Sequence, residues 1–175
     1  MKKRITLHDK TFEEYISGER INRAIRNLAR RINEDYKDVE MPLFLGVLNG
    51  AFMFMGELMK HIDFNCEVSF IKLASYAGTG SSGKVNELIG LKSDICGRHV
   101  IIVDDVVDTG ESFDHLMRSL EVRRPATVEI AAMLFKPDAY RKDRPVKYAG
   151  ISVSNGFIVG YGLDYNELGR NLRDI

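Results

Sequence analysis

The segment Val100–Ser112, VIIVDDVVDTGES, concentrates the residue types that do chemistry. Four apolar residues run directly into Asp104-Asp105, and Asp108-Thr109-Gly110-Glu111-Ser112 follows before a helical pattern begins. Asp104, Asp105 and Asp108 repel one another unless a cation or polar partner compensates. Adjacent strand residues point to opposite faces, so Asp104 and Asp105 line one pocket only if the chain turns there. The vicinal hydroxyls of a ribose, or a magnesium ion holding them, are natural partners for such a pair. The Asp108–Ser112 turn supplies a different tool. A glycine turn leading into a helix presents successive backbone amides, the helix dipole adds positive potential, and the Thr109 and Ser112 hydroxyls add donors, which together make a cradle for phosphate. A plain loop with solvated or helix-capping acids would explain one Asp, but it explains the whole constellation after a buried strand less well.

Other residues say less by themselves. Lys136 follows an apolar run ending Met133-Leu134-Phe135, and a lone lysine there reads as a solvated charge. Phe157 reads first as a core aromatic. Residues 75–84, SYAGTGSSGK, carry three glycines and three serines, the composition of a mobile loop and long for a simple hairpin connection. Arg20, Arg23, Arg26, Arg30 and Arg31 lie off the apolar stripe of their helix and read as a solvated face.

The elements that position these residues follow from periodicity. Ile21, Ile25, Leu28 and Ile32 form one stripe of a helix over about 17–36. Continuous apolar runs at 42–48, 99–103 and 127–135 predict strands covered on both faces. Residues 67–74 and 146–153 add two more strands, 157–159 a short one, 51–61 and 113–122 two helices, and 166–172 a helical turn. Strand-helix alternation predicts a mainly parallel central sheet flanked by helices. Such sheets bind ligands beyond the carboxyl ends of their strands, near the switch point, here just after residues 48, 74, 103 and 135.

Composition bounds the rest. The length of 175 residues suits a single domain spanning 1–175. Lys plus Arg and Asp plus Glu both number 25, so no basic field exists to hold nucleic acid. Cys66 and Cys96 are the only cysteines and form no CxxC, which argues against a disulfide scaffold or structural zinc and suits reduced thiols in the cytoplasm. Neither a signal peptide nor an apolar stretch long enough for a membrane span is evident.

VIIVDDVVDTGES closely resembles the phosphoribosyl-diphosphate (PRPP) signature of the type I phosphoribosyltransferases. Leu48-Asn49-Gly50-Ala51-Phe52 resembles their diphosphate loop, Ser75-Tyr76 the start of their lid, and the stretch from Phe157 through Glu167, with Arg170, the base-binding region of the hypoxanthine-guanine branch. These elements occur in the family's order over about residues 5–172.

The resemblance implies a parallel-sheet core with a small hood over the active site, built from the N-terminal segment and about 137–175, and a lid over about 75–86. It implies transfer of the phosphoribosyl group from PRPP to hypoxanthine or guanine in purine salvage, releasing diphosphate. Asp108 would act on N7 of the purine. Asp104 and Asp105 would hold the ribose hydroxyls, and Asp108, Thr109, Gly110, Glu111 and Ser112 the 5′-phosphate. Asn49, Gly50 and Arg170 would meet the diphosphate. Lys136, Phe157, Ile158 and Asp164 would bind the base, with Lys136 favouring a 6-oxo over a 6-amino group. Two magnesium ions in the closed complex, near Asp104, Asp105 and Asp164, would neutralise PRPP. A homodimer or homotetramer is implied, without nucleic acid or membrane. Asn49 departs from the Lys or Arg that many members carry; it brings donors but no charge. The family often has a non-proline cis peptide just before that position. Two alternatives use parts of the same pattern: a non-catalytic PRPP-sensing regulator, and a phosphorylation-switch receiver domain. The receiver would place its acid pair near the start of the chain.

Overall fold

A computed structural model describes residues 3–73, 87–91 and 93–175. The elements in chain order are β1 (Arg4–Leu7), β2 (Lys10–Glu13), α1 (Gly18–Tyr36), β3 (Leu43–Leu48), α2 (Phe52–Met59), β4 (Glu67–Leu73), β5 (Glu87–Ile89), β6 (His99–Val107), α3 (Glu111–Glu121), β7 (Thr127–Phe135) and β8 (Tyr148–Ser152). The central sheet has the order β5-β4-β3-β6-β7-β8. β3, β4, β6, β7 and β8 run parallel, and β5 is antiparallel at one edge. The chain builds outward from β3 to β4 and then reverses to β6, β7 and β8, so the switch point lies between β3 and β6.

The apolar runs form strands because both sheet faces are covered. On one face Phe44, Ile101 and Ala131 pack with Ile21, Ile25 and Leu28 of α1 and Phe54 and Leu58 of α2. On the other, Leu43, Leu45, Ile102 and Ile130 pack with Phe113, Leu116 and Leu120 of α3. The alternation expected of strands therefore sorts neighbours between two cores. Cys66 and Cys96 are free thiols. Among the described residues no helix is long and apolar enough to cross a membrane.

Several expectations are corrected. The β6 strand does not stop at Val103 or turn at the acid pair; it pairs with β7 as far as Val107. Instead the alternation slips across the pair: Val103 and Val106 both reach the α1–α2 core, although strict alternation would separate them. Residues 157–159 form no strand, and 166–172 form turns rather than a helical turn. The reason is local. Tyr161, Asn166 and Glu167 and the glycines at 160, 162 and 169 all have positive φ, which breaks both extended and helical runs. The stretch folds back on the chain end instead, with the amides of Tyr161 and Gly162 donating to Leu172 and Arg170. The β1–β2 hairpin and β5 were not anticipated; the hairpin is almost wholly exposed, so it carries no hydrophobic alternation.

Candidate active site

The carboxyl ends of β3, β6 and β7 bring four groups of residues together. The first is the acid pair. Asp104 accepts a hydrogen bond from the Asp105 amide at 3.0 Å, and Asp105 accepts one from the Val106 amide at 2.8 Å. Loss of water pushes both carboxyls up, and the Asp105 charge pushes Asp104 further. The Arg170 guanidinium pulls the other way at Asp105. Two adjacent carboxylates that repel each other suit a hard divalent cation. Among the described residues no group of three or more His, Cys, Asp or Glu could hold a metal alone. The residues therefore fit magnesium as that ion prefers to bind, through few carboxylates with water and substrate oxygens completing its shell.

The second group faces Asp105. The Leu48–Asn49 peptide is cis, as the resemblance implied. Gly50 follows, and a Cβ there would run into the Asp105 carboxylate. Gly162 is pressed equally closely against the Gly50 carbonyl. Only bare backbone allows the 49–50 turn, the acid pair and the C-terminal stretch to meet. Arg170 joins the same place. It donates to the Gly162 carbonyl at 2.9 Å and pairs with Asp164 at 2.7 Å. Its Nε is buried without a hydrogen-bond partner, an opening for an anion. Asp164 also accepts from the Glu167 amide at 2.8 Å.

The third group is the pair Asp108–Lys136. The Lys136 ammonium donates to the Asp108 carboxylate at 2.6 Å. Lys136 is 8% exposed and is the only buried charged residue among those described. Its amide donates to the Val107 carbonyl at 3.0 Å, so β6 and β7 fix both partners. The reading of a lone lysine as a solvated charge is thereby replaced, because β7 ends beside β6 and delivers Lys136 to the turn.

The fourth group is the turn itself. Gly110 takes φ +86° and caps α3. The first amides of that helix have no intrahelical partner. Thr109, Glu111 and Ser112 are exposed. Tyr140 and Lys142 press against Gly110, where a Cβ would lie 2.6 Å from the ring and 2.8 Å from the lysine stem. Neither residue stood out in the sequence, where Lys142 sits in an ordinary charged run. Gly162 was visible only as part of a motif.

Phe157 and Ile158 lie elsewhere in the C-terminal stretch. Phe157 is 64% exposed, which corrects the core reading. Its ring contacts Phe12 at 6.2 Å and Tyr165 at 5.8 Å, and the Lys10 ammonium sits 5.8 Å from its centroid. Ile158 is half-buried against the α1–α2 core. The expected lid residues Ser75 and Tyr76 lie outside the described residues.

Comparison with known proteins agrees with this geometry. A family model described as phosphoribosyl transferase domain matches residues 12–166. The chain is 39% identical over 158 residues to the hypoxanthine-guanine phosphoribosyltransferase of Streptococcus pneumoniae, covering 90% of this chain and 87% of that protein. It is 40% identical over 154 residues to the hypoxanthine-guanine-xanthine phosphoribosyltransferase of Tritrichomonas foetus, covering 87% and 83%. A crystal structure of a Bacillus anthracis hypoxanthine-guanine phosphoribosyltransferase superposes with a TM-score of 0.86 at 32% identity, over 93% of this chain and 96% of that one. An acid pair, the glycine turn at 108–112 and a paired Asp–Lys at one switch point, in a chain this similar, have a single family explanation: the chain belongs to the type I phosphoribosyltransferases, in their hypoxanthine-guanine branch.

Proposed function

We propose that the chain transfers the phosphoribosyl group of PRPP to N9 of hypoxanthine or guanine. The C1′–O bond to diphosphate breaks, the N9–C1′ bond forms, the nucleoside monophosphate and diphosphate leave, and the N7 proton of the base passes to Asp108. The observation that carries this reading is the 2.6 Å contact between Asp108 and Lys136 beside the phosphate turn.

Each partner of that contact has a task. A base entering between them replaces one ion pair with two hydrogen bonds. The Lys136 ammonium donates to the 6-oxo oxygen, and the Asp108 carboxylate accepts from N7–H. A 6-amino group offers Lys136 no acceptor, so adenine would leave a buried cation unmatched at a cost of about 1–3 kcal/mol. Asp108 then takes the proton as positive charge moves onto the base, a contribution of about 10²–10⁴-fold for well-placed general bases. Phe157 offers an exposed ring for stacking and Ile158 its backbone groups. Asp104 and Asp105 orient the ribose hydroxyls. The α3 amides hold the 5′-phosphate, and the 49–50 turn with Arg170 holds the diphosphate. Magnesium, when bound, neutralises PRPP and the departing diphosphate. Asp104, Asp105 and Asp164 are the residues that would hold two such ions, Asp164 through water because Arg170 occupies it.

The hood belongs to the same proposal. The segment after the β1–β2 hairpin is tied to the chain end, with the Tyr15 and Ile16 amides donating to the Ile175 carbonyl, and the hairpin itself to the C-terminal stretch, with the Tyr165 hydroxyl donating to Asp9 at 2.6 Å. The lid over 75–86, a homo-oligomer and a cytoplasmic location complete it. The regulator alternative has no observation in its favour, since the relatives named above are transferases. A steady-state assay of the purified chain with PRPP, magnesium and hypoxanthine, guanine, xanthine or adenine tests the reading. Diphosphate release with the 6-oxo bases and not with adenine is expected; no release with any base would overturn it.

A further inference from the structure

The turn proposed to hold a phosphate dianion is rich in acid. Glu111 and Asp114 lie in the first turn of α3, one position and four positions beyond Gly110. A phosphate placed on these amides would meet their charge at short range. Helix dipole and amides favour the anion, but carboxylates in the same turn work against it.

The structure places a cation where the conflict arises. The Lys142 ammonium lies 2.8 Å from Glu111 and 3.6 Å from Asp114. Asp114 has a second partner in Arg118 at 3.2 Å, and Asp108 is taken by Lys136, so Lys142 is the cation paired with Glu111. The two partners differ in freedom: the Lys142 side chain is 22% exposed and that of Glu111 67%. Lys142 is held because its stem packs on Gly110 beside Tyr140, and the Arg141 amide donates to the Thr109 carbonyl at 3.2 Å. The segment after β7 therefore clamps the turn and fixes the ammonium at its rim, while the Glu111 side chain lies largely in solvent.

We infer that Lys142 is the residue that makes the turn selective for a 5′-phosphate: its ammonium neutralises Glu111 in the free protein and transfers to the phosphate when a phosphorylated ribose binds. This rests on the function proposed above. In that setting Lys142 is a phosphate-binding and specificity residue.

The test compares ligands with and without the phosphate. In Lys142→Gln the KM for PRPP and the Kd for inosine 5′-phosphate should rise about tenfold, the effect of losing one charge-assisted contact. The Kd for inosine, the KM for hypoxanthine and kcat at saturating PRPP should stay within about twofold, below what loss of a direct contact produces. Lys142→Arg should restore most of the affinity. Adding Glu111→Gln to Lys142→Gln should recover part of the loss, because the opposing carboxylate is gone. Equal weakening of inosine and inosine 5′-phosphate would assign Lys142 a purely structural role and overturn the inference, as would an unchanged KM for PRPP. A wild-type chain that releases no diphosphate would instead overturn the function, and the phosphate-dependent difference in nucleoside binding would still decide the role of Lys142.

Discussion

The two ends of the central sheet treat their polar groups in opposite ways. At the amino end every charge named has a partner. Tyr148 donates to Asp35 at 2.7 Å, Lys147 pairs with Asp35 at 3.1 Å, and His99 meets Thr127 at 2.9 Å. Arg98 bridges Glu67 at 2.6 Å and the Met41 carbonyl at 2.8 Å. The Tyr148 hydroxyl and Lys147 hold Asp35 below the usual carboxylate range, and burial pushes the neighbouring Tyr36 up to about 12. At the carboxyl end Asp104 and Asp105 are pushed up instead, Arg170 keeps a buried nitrogen unpaired, and Lys136 is buried against the Asp108 carboxylate. One sheet therefore carries a settled edge and an unsettled one. The unsettled edge is costly by itself, and on the function proposed above its groups are the ones that would meet a metal ion, a sugar, a diphosphate and a base.

Removing the ligand partners should show this first. Chelation of magnesium should abolish diphosphate release and leave the melting temperature unchanged, measured side by side in EDTA. Residual turnover at the untreated rate would mean that the acid pair needs no cation. Next in size, Asp108→Asn should lower kcat by about 10²–10⁴-fold while inosine 5′-phosphate still binds by calorimetry. Unchanged turnover would remove the general base. Lys136→Ala should raise the KM for hypoxanthine by about tenfold to a hundredfold and leave that for PRPP nearly constant. An equal rise in both would place Lys136 outside the base site.

Two stability measurements contrast the ends directly. A carboxyl raised on folding binds its proton more tightly in the native state, so the Asp104–Asp105 pair costs stability as pH climbs above the ordinary aspartate value of 3.8. Asp104→Asn should then raise stability at pH 7 by about 1 kcal/mol, or roughly 2–4 °C in Tm, while impairing catalysis, and the gain should fade in acid. A lower Tm at pH 7 would show that the edge is not strained. Asp35 has the opposite sign. Its carboxyl is lowered on folding, so its contribution is present above 3.8 and is lost as pH falls through the folded value. Tyr148→Phe should cost about 1 kcal/mol at pH 7, with the deficit shrinking in acid and kcat unaffected. A change in kcat would couple the two ends and break the contrast.

Legibility in the sequence followed the distance along the chain over which each feature is built. The parallel strands and the helix over 17–36 were readable because buried faces impose a period, and the structure places α1 at Gly18–Tyr36. The acid pair and the glycine turn at 108–112 were readable because their residues are contiguous along the chain. Lys136 became a site residue only through the family resemblance, and Lys142 was missed, because each reaches the turn across a strand crossover. The stretch after Val153 misled for another reason: its apolar triplet Phe157-Ile158-Val159 looks like a strand, while positive φ at Gly160, Tyr161 and Gly162 turns the chain back.

Local order along the chain was enough to specify a parallel α/β sheet, the glycine turn at 108–112 and the aspartates beside it, since periodicity and turn chemistry act over a few residues. Tertiary structure alone decided the pairing of Asp108 with Lys136, the meeting of Gly50, Asp105 and Gly162, and the clamp of Lys142 on Gly110. Those contacts join residues 28 to 112 positions apart, and only the register of neighbouring strands and the fold-back of the chain end bring them within reach.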